Sequence, residues 1–439
     1  MHYDLIIKGG TCVFPWGEAQ ADLGVTDGRI ASLAVGTGDS ATQVVDAKGL
    51  HVLPGMIDSH VHLRDPGNAA IESIATGTRA AALGGITMVF DMPNTSPSIT
   101  SAETIADKRR TVAENALIDM GLYVGATRAN TPGLAALEQE EGICAIKVFA
   151  GSSTGDLMIE DDEGIEAVLR SGHRRVAFHS EDEYRLQARK PLFETGMPHV
   201  NHMIWRDEEC AFLGTRRITA LARKTGRSVH ILHTSTAEEL EWLAAHRSHV
   251  SVEVLVNHLT QVGPECYETL GAYAVMNPPI RDRRHYDACW EAVRDGRVDV
   301  VSSDHAPHPR EAKEKPWPQC PAGLTGVQTI LPLMLDHVNA GRLSLSRLVD
   351  LMAAGPARIY GLLTKGRLAV GFDADFTLVD LKARREIRND WIASPVGWTP
   401  FDGKQVTGWP MATIVRGHVV MRDDAIVSAP IGRLARFAP

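Results

Sequence analysis

Two histidines two residues apart, His60 and His62, close an apolar run and lead into Arg64-Asp65-Pro66-Gly67. On a strand, side chains two apart share a face, so both imidazoles can serve one ion and Arg64 continues their row. Pro66 and Gly67 then stop the strand. Imidazole suits zinc and its first-row neighbours, but two histidines leave a site open, so further ligands must come from distant parts of the chain. Taken alone, the pair has a plainer account as half-buried strand histidines.

The elements that must position such ligands are legible in the periodicity. From residue 51 to 364, apolar strand-like runs alternate with helical patterns, which predicts parallel βαβ units. Eight strands are expected, over Val52–Ser59, Ile86–Asp91, Gly121–Gly125, Cys144–Phe149, Val176–His179, Val229–His233, Ser251–Val256 and Val298–Ser303. Helical stretches over Ile71–Leu83, Ala102–Asn115, Asp207–Lys224 and Ala237–His246 fill gaps between them. Eight such units close into a (β/α)8 barrel, an α/β fold whose active site sits at the C-terminal strand ends. Lys147, His179, His233 and Asp304 fall at those ends with His60 and His62. Each alone has a structural explanation as a snorkelling lysine, a satisfied core histidine or a helix cap. Five strands presenting metal-competent groups to one rim are hard to obtain from packing alone.

Residues 1–50 and 365–439 read instead as short strands and turns, among them Asp4–Lys8, Ala374–Asp380 and Ala412–Val420. Neither end has enough strands for its own core, so one small β-sandwich built from both termini is expected.

Composition narrows the function classes. The 439 residues are 44% hydrophobic and 23% charged, which suits a large globular core. A net charge of -9 and the lack of a basic patch argue against nucleic acid as the main partner. No window is long and apolar enough for a membrane span, and the N-terminus lacks a basic region before an apolar core, so a cytoplasmic protein without membrane contact is expected. The six cysteines are scattered without a Cys-x-x-Cys pair, which argues against a thiolate zinc site and a disulfide framework. The net charge says little about small anions, which read a local pocket, and the composition leaves a homo-oligomer open.

Five motifs in order, His60-Val61-His62-Leu63-Arg64-Asp65-Pro66-Gly67, Asp91-Met92-Pro93-Asn94-Thr95, Met276-Asn277-Pro278-Pro279-Ile280-Arg281, Asp304-His305-Ala306-Pro307-His308 and Thr399-Pro400-Phe401-Asp402-Gly403, carry a resemblance over nearly the whole chain. It resembles the amidohydrolase superfamily of metal-dependent hydrolases, and its wording is similar to the dihydroorotase family. The resemblance implies two divalent metals, with zinc the favoured ion: His60 and His62 on one, His179 and His233 on the second, Lys147 bridging both as a carboxylated lysine, Asp304 on the first, and a shared hydroxide between them. It further implies Asp304 as the proton carrier. Arg64, Asn94 and His308 resemble the clamp for a substrate carboxylate, with Asn277 beside them. Residues 309–323 read as a mobile loop over the mouth, with Ala322 and Gly323 offering backbone N–H groups. His258 is open between a site-supporting and a packing role, and His202, Arg206 and Glu209 form a polar cluster with no role assigned.

The implied activity is reversible interconversion of L-dihydroorotate and N-carbamoyl-L-aspartate in pyrimidine (UMP) synthesis. An allantoinase or hydantoinase is the alternative within the same chemistry, and a catalytically silent scaffold is the alternative outside it. The carboxylate clamp separates the first from dihydroorotase, and loss of metal ligands would mark the second.

Overall fold

The computed structural model describes residues 1–151 and 157–438. Its centre is an eight-stranded parallel sheet in sequential order, β1 (Met56–Val61), β2 (Ile86–Asp91), β3 (Asp119–Gly125), β4 (Ile143–Phe149), β5 (Val176–His179), β6 (Val229–Ile231), β7 (Val250–Leu255) and β8 (Val300–Ser302). Every residue of these strands is buried, as a sheet covered on both faces requires. The barrel closes between β8 and β1, where the His62 N–H donates to the His305 carbonyl at 2.7 Å and the buried Asp58 carboxylate accepts the Ser303 N–H at 3.1 Å.

Helix starts follow the capping residues in the sequence. Ser73, Ser101 and Thr236 form capping boxes before Ile74–Leu83, Ala102–Asn115 and Ala237–Ala244, and Asp207 caps Glu208–Thr225. These caps fix where each helix leaves the rim.

The second sheet uses both termini. His2–Phe14 pairs antiparallel with Gly17–Thr26 and parallel with Ser40–Asp46 and His51–Pro54, and Phe376–Glu386 joins His51–Pro54 to Gln405–Val415. The run expected as one strand over Val52–Ser59 is therefore divided at Gly55. His51–Pro54 belongs to this terminal sheet and only Met56 onward to the barrel. Gly55 passes so close to its neighbours that a Cβ there would stand 2.3 Å from Thr87 Oγ1 and 2.6 Å from the Asp375 Cβ.

A buried ion cluster ties the sheet to the barrel. The Lys365 ammonium reaches Asp119 at 2.7 Å, Asp373 at 3.1 Å and Asp375 at 2.5 Å. These three carboxylates come close enough together to suggest a cation site, and the ammonium already fills that role. Among the described residues no helix is long and apolar enough to cross a membrane.

Candidate active site

His60 lies on β1 and His62 one residue beyond it, Lys147 on β4, His179 at the end of β5, His233 past β6 and Asp304 past β8, so one end of the barrel collects all six. His60 Nε2 and His62 Nε2 stand 3.2 and 3.0 Å from the same Asp304 Oδ1. Two-residue spacing on a strand does bring these imidazoles to one point. The His60 and His233 rings are 5.5 Å apart between centroids, and the His233 and His179 rings 4.5 Å. His233 and Asp304 both take left-handed backbone, at φ 39° and 49°. That conformation is uncommon for non-glycine residues, although Asp adopts it more readily than most, as Asp27, Asp423 and Asp424 do elsewhere in the chain.

The other ring nitrogens are held from behind. His60 Nδ1–H donates to Glu253 Oε1 at 2.8 Å, His62 Nδ1–H to Asn94 Oδ1 at 2.7 Å and His179 Nε2–H to Glu181 Oε2 at 2.8 Å. Each bond fixes a tautomer and leaves the opposite nitrogen bare toward the shared space. His233 Nδ1 is buried without a hydrogen-bond partner among the described residues.

The charges fit the same picture. Burial pushes Asp304 up, but His60, His62 and Lys147 hold its carboxyl well below the usual carboxylate range. Burial, with the charges of His60 and Arg64, pulls His62 down to about 4 against the attraction of Asp304. Burial pulls His60 down as well, yet Asp304 and Glu253 outweigh it and raise the group overall. Lys147 is buried with its Nζ 4.5 Å from the Phe149 ring centroid, and burial brings its amine down to about 7. The imidazoles of His60, His62, His179 and His233, the ionised Asp304 carboxylate and the Lys147 amine form a cluster in which His60, His62 and Asp304 could hold a divalent cation.

Glu181 and Glu253 escaped the sequence reading. Glu253 sits inside Val250–Leu255, where the one charge in a fully buried run was the available signal. Its Oε1 accepts both His60 Nδ1–H and the His233 backbone N–H, the latter at 3.0 Å, so one oxygen spans the two histidine pairs. Glu181 follows His179 by two residues, and the Arg206 guanidinium grips it through Nε at 3.0 Å and through a second, shorter contact. Glu253→Gln is expected to weaken metal binding about 10–100-fold while the fold persists, measured by competition with a chelator. Unchanged metal affinity would show that Glu253 only fills the barrel.

The expected substrate contacts are partly gathered. The Arg64 guanidinium lies 3.4 Å from the Pro307 carbonyl and 3.5 Å from His308 Nε2. Among the described residues no carboxylate forms an ion pair with it, and Asp304, Asp91 and Glu72 act on it only from further away. Asn94 supports His62 directly, and Asn277 Oδ1 accepts His202 Nε2–H at 2.9 Å. Gly323 departs from expectation: its N–H already donates to the Val275 carbonyl at 3.0 Å, and Ala322 turns its carbonyl, not its N–H, toward His308 Nε2 at 3.2 Å. The segment 309–323 is anchored rather than loose, because Lys313 and Trp317 are buried and Trp317 Nε1–H donates to His202 Nδ1 at 3.2 Å. His258 bonds the Pro278 and Pro279 carbonyls at 3.3 and 3.2 Å, a packing role beside Asn277. His202 and Arg206 are buried together with this shell, whereas Glu209 is exposed on its helix.

Residues 51–420 match the amidohydrolase family. The chain belongs to that family. This amidohydrolase is 36% identical over 430 residues to a dihydroorotase of Halobacterium salinarum, covering 94% of this chain and 99% of that one. It is 34% identical to an allantoinase of Deinococcus radiodurans, with 99% of both chains covered. The L-hydantoinase structure from Arthrobacter aurescens superposes with a TM-score of 0.94 at 29% identity, with 99% of each chain covered. With such relatives along nearly its whole length, the amidohydrolase is a hydrolase of cyclic amides.

Proposed function

We propose that this amidohydrolase is a cytoplasmic, zinc-dependent dihydroorotase that interconverts L-dihydroorotate and N-carbamoyl-L-aspartate in de novo pyrimidine synthesis. The observation that supports this substrate over an uncharged ring is Arg64. A half-buried guanidinium with no carboxylate partner among the described residues is a receptor for an anion, and dihydroorotate carries a ring carboxylate that allantoin and hydantoin lack. His308 stands beside it. Burial, with the charges of Arg64 and Lys313, brings that ring down to about 3, so it stays neutral with a single N–H, which Nε2 turns toward the Ala322 carbonyl at 3.2 Å and can share with an incoming carboxylate.

In this reading His60, His62 and Asp304 would hold one zinc and His179 and His233 the other, with Lys147, as a carbamate, supplying anionic oxygen to them. When bound, the metal pair supplies an activated water and polarises the amide carbonyl. Asp304 accepts the proton of the attacking water and returns it to the ring nitrogen as the C–N bond breaks, since an amide nitrogen leaves poorly unless protonated. Arg64 and His308 bind the ring carboxylate and set which carbonyl faces Asp304, and Asn94 holds His62 in place.

Rates on dihydroorotate, allantoin, hydantoin and dihydrouracil, measured with metal content, test the reading. Arg64→Met adds a sharper arm: it is expected to lose roughly 2–5 kcal/mol on dihydroorotate, about thirtyfold or more in kcat/KM, with little change on dihydrouracil. Preference of the unaltered enzyme for a ring without a carboxylate, or equal losses on both rings in Arg64→Met, would overturn it.

A further inference from the structure

Lys313 has no exposed surface, and among the described residues it forms no ion pair. Its ammonium donates instead to three carbonyls, Pro321 at 2.8 Å, Val275 at 3.0 Å and Gly323 at 3.1 Å, with the Trp398 ring centroid 5.8 Å away. Burial alone brings the amine down to about 7, and three carbonyl acceptors within 3.1 Å call for all three protons of the ammonium, whose desolvation cost they offset. For stability alone an apolar side chain of similar volume would serve as well or better. The arrangement therefore asks for another reason.

Two of the three carbonyls belong to the residues on either side of Ala322. With the Pro321 and Gly323 carbonyls on Lys313, the Ala322 carbonyl between them accepts His308 Nε2–H at 3.2 Å. The turn is also packed against that ring, because a Cβ on Gly323 would stand 2.9 Å from His308 and 2.5 Å from the Ala306 carbonyl. The third carbonyl, Val275, takes the Gly323 N–H as well, at 3.0 Å, which knots the same turn to the segment before Asn277. Trp398, which lies near Lys313, donates its Nε1–H to the His308 carbonyl at 2.8 Å.

We propose that Lys313 is a positioning residue: it holds the Pro321–Gly323 turn so that the Ala322 carbonyl orients the His308 ring for the substrate carboxylate. The link to a carboxylate rests on the dihydroorotate reading; the link to the ring does not. Lys313 touches no substrate in this role and acts entirely through the turn.

Lys313→Met tests it in the zinc-loaded enzyme. The expected result is a KM for dihydroorotate raised about tenfold or more with kcat little changed, dihydrouracil unaffected, and a full complement of metal. Equal losses on both rings, loss of metal, or an unchanged KM for dihydroorotate would overturn the proposal. If Lys313→Met does not fold, Lys313→Gln, which keeps a donor, carries the same comparison. A second readout needs no substrate. In protein labelled with 15N-histidine, with His308→Gln identifying the signal, the His308 proton is expected on Nε2 in the unaltered enzyme and shared between both nitrogens in the Lys313 variant. A ring unchanged by the variant would overturn the proposal even where dihydroorotate is the substrate. A ring that changes while the unaltered enzyme ignores dihydroorotate would instead fault the substrate reading and leave Lys313 as the device that orients His308.

Discussion

Lys147→Ala is expected to lose most bound metal and nearly all turnover, and acetate or propionate with added zinc is expected to restore part of both. The reason lies in the position of the amine. Lys147 is buried among His60, His179 and His233, whose charges it opposes, and it forms no ion pair among the described residues. As an ammonium it would repel divalent cations from the space that these histidines share. As an unprotonated amine it can add to CO2, forming an N–C bond and releasing one proton, and it then presents anionic oxygen. Burial that brings the group down to about 7 makes the unprotonated form abundant near neutral pH. A small carboxylic acid offers the same oxygen donors without the tether, so rescue should rise with acid concentration and metal content should follow activity. Full metal content in the untreated variant would remove the bridge assignment and leave Lys147 as a structural cation.

Asp304→Asn is expected to abolish both ring opening and ring closure while much of the metal stays bound by the remaining ligands. Under the proposed mechanism, ring opening needs Asp304 ionised to accept a proton from the attacking water, and ring closure needs it protonated to return one. His60, His62 and Lys147 favour the ionised form strongly, overcoming a burial that opposes it. The sign follows directly: kcat/KM for opening should rise or hold level as pH increases, and kcat/KM for closing should fall. Both bends belong to the coupled site rather than to Asp304 alone. Closing the ring also consumes a proton, so the equilibrium should shift toward dihydroorotate about tenfold per unit of falling pH while the substrate carboxylates stay ionised. Stopped-assay profiles in both directions check this. Profiles that rise together, or appreciable turnover in Asp304→Asn, would leave the carboxylate with no role in proton transfer.

The alternation of apolar runs and helical patterns was enough to predict the barrel, because a strand buried on both faces must be apolar throughout and each βαβ crossover needs its own helix. The same pattern put His60, His62, Lys147, His179, His233 and Asp304 at or next to strand ends, and a closed barrel brings such ends to one rim whatever the loops do. What periodicity cannot register is where two sheets compete for one apolar run. Val52–Leu53 and Met56–Ile57 look alike as sequence, and only in the folded chain does the first pair bond to Thr377 and Leu378 in the terminal sheet and the second to Ile86 and Met88 in the barrel. Partners across the barrel were hidden for a related reason. Glu253 is 193 residues from His60, and no local pattern reports which carboxylate a folded sheet will bring to an imidazole. The segment 309–323 shows the limit most clearly. Its Lys, Glu and Pro content matches a solvated loop, yet Lys313 and Trp317 are buried in it. Composition measures the cost of burying a lysine, and only the tertiary structure brings together the carbonyls of Val275, Pro321 and Gly323 that offset that cost.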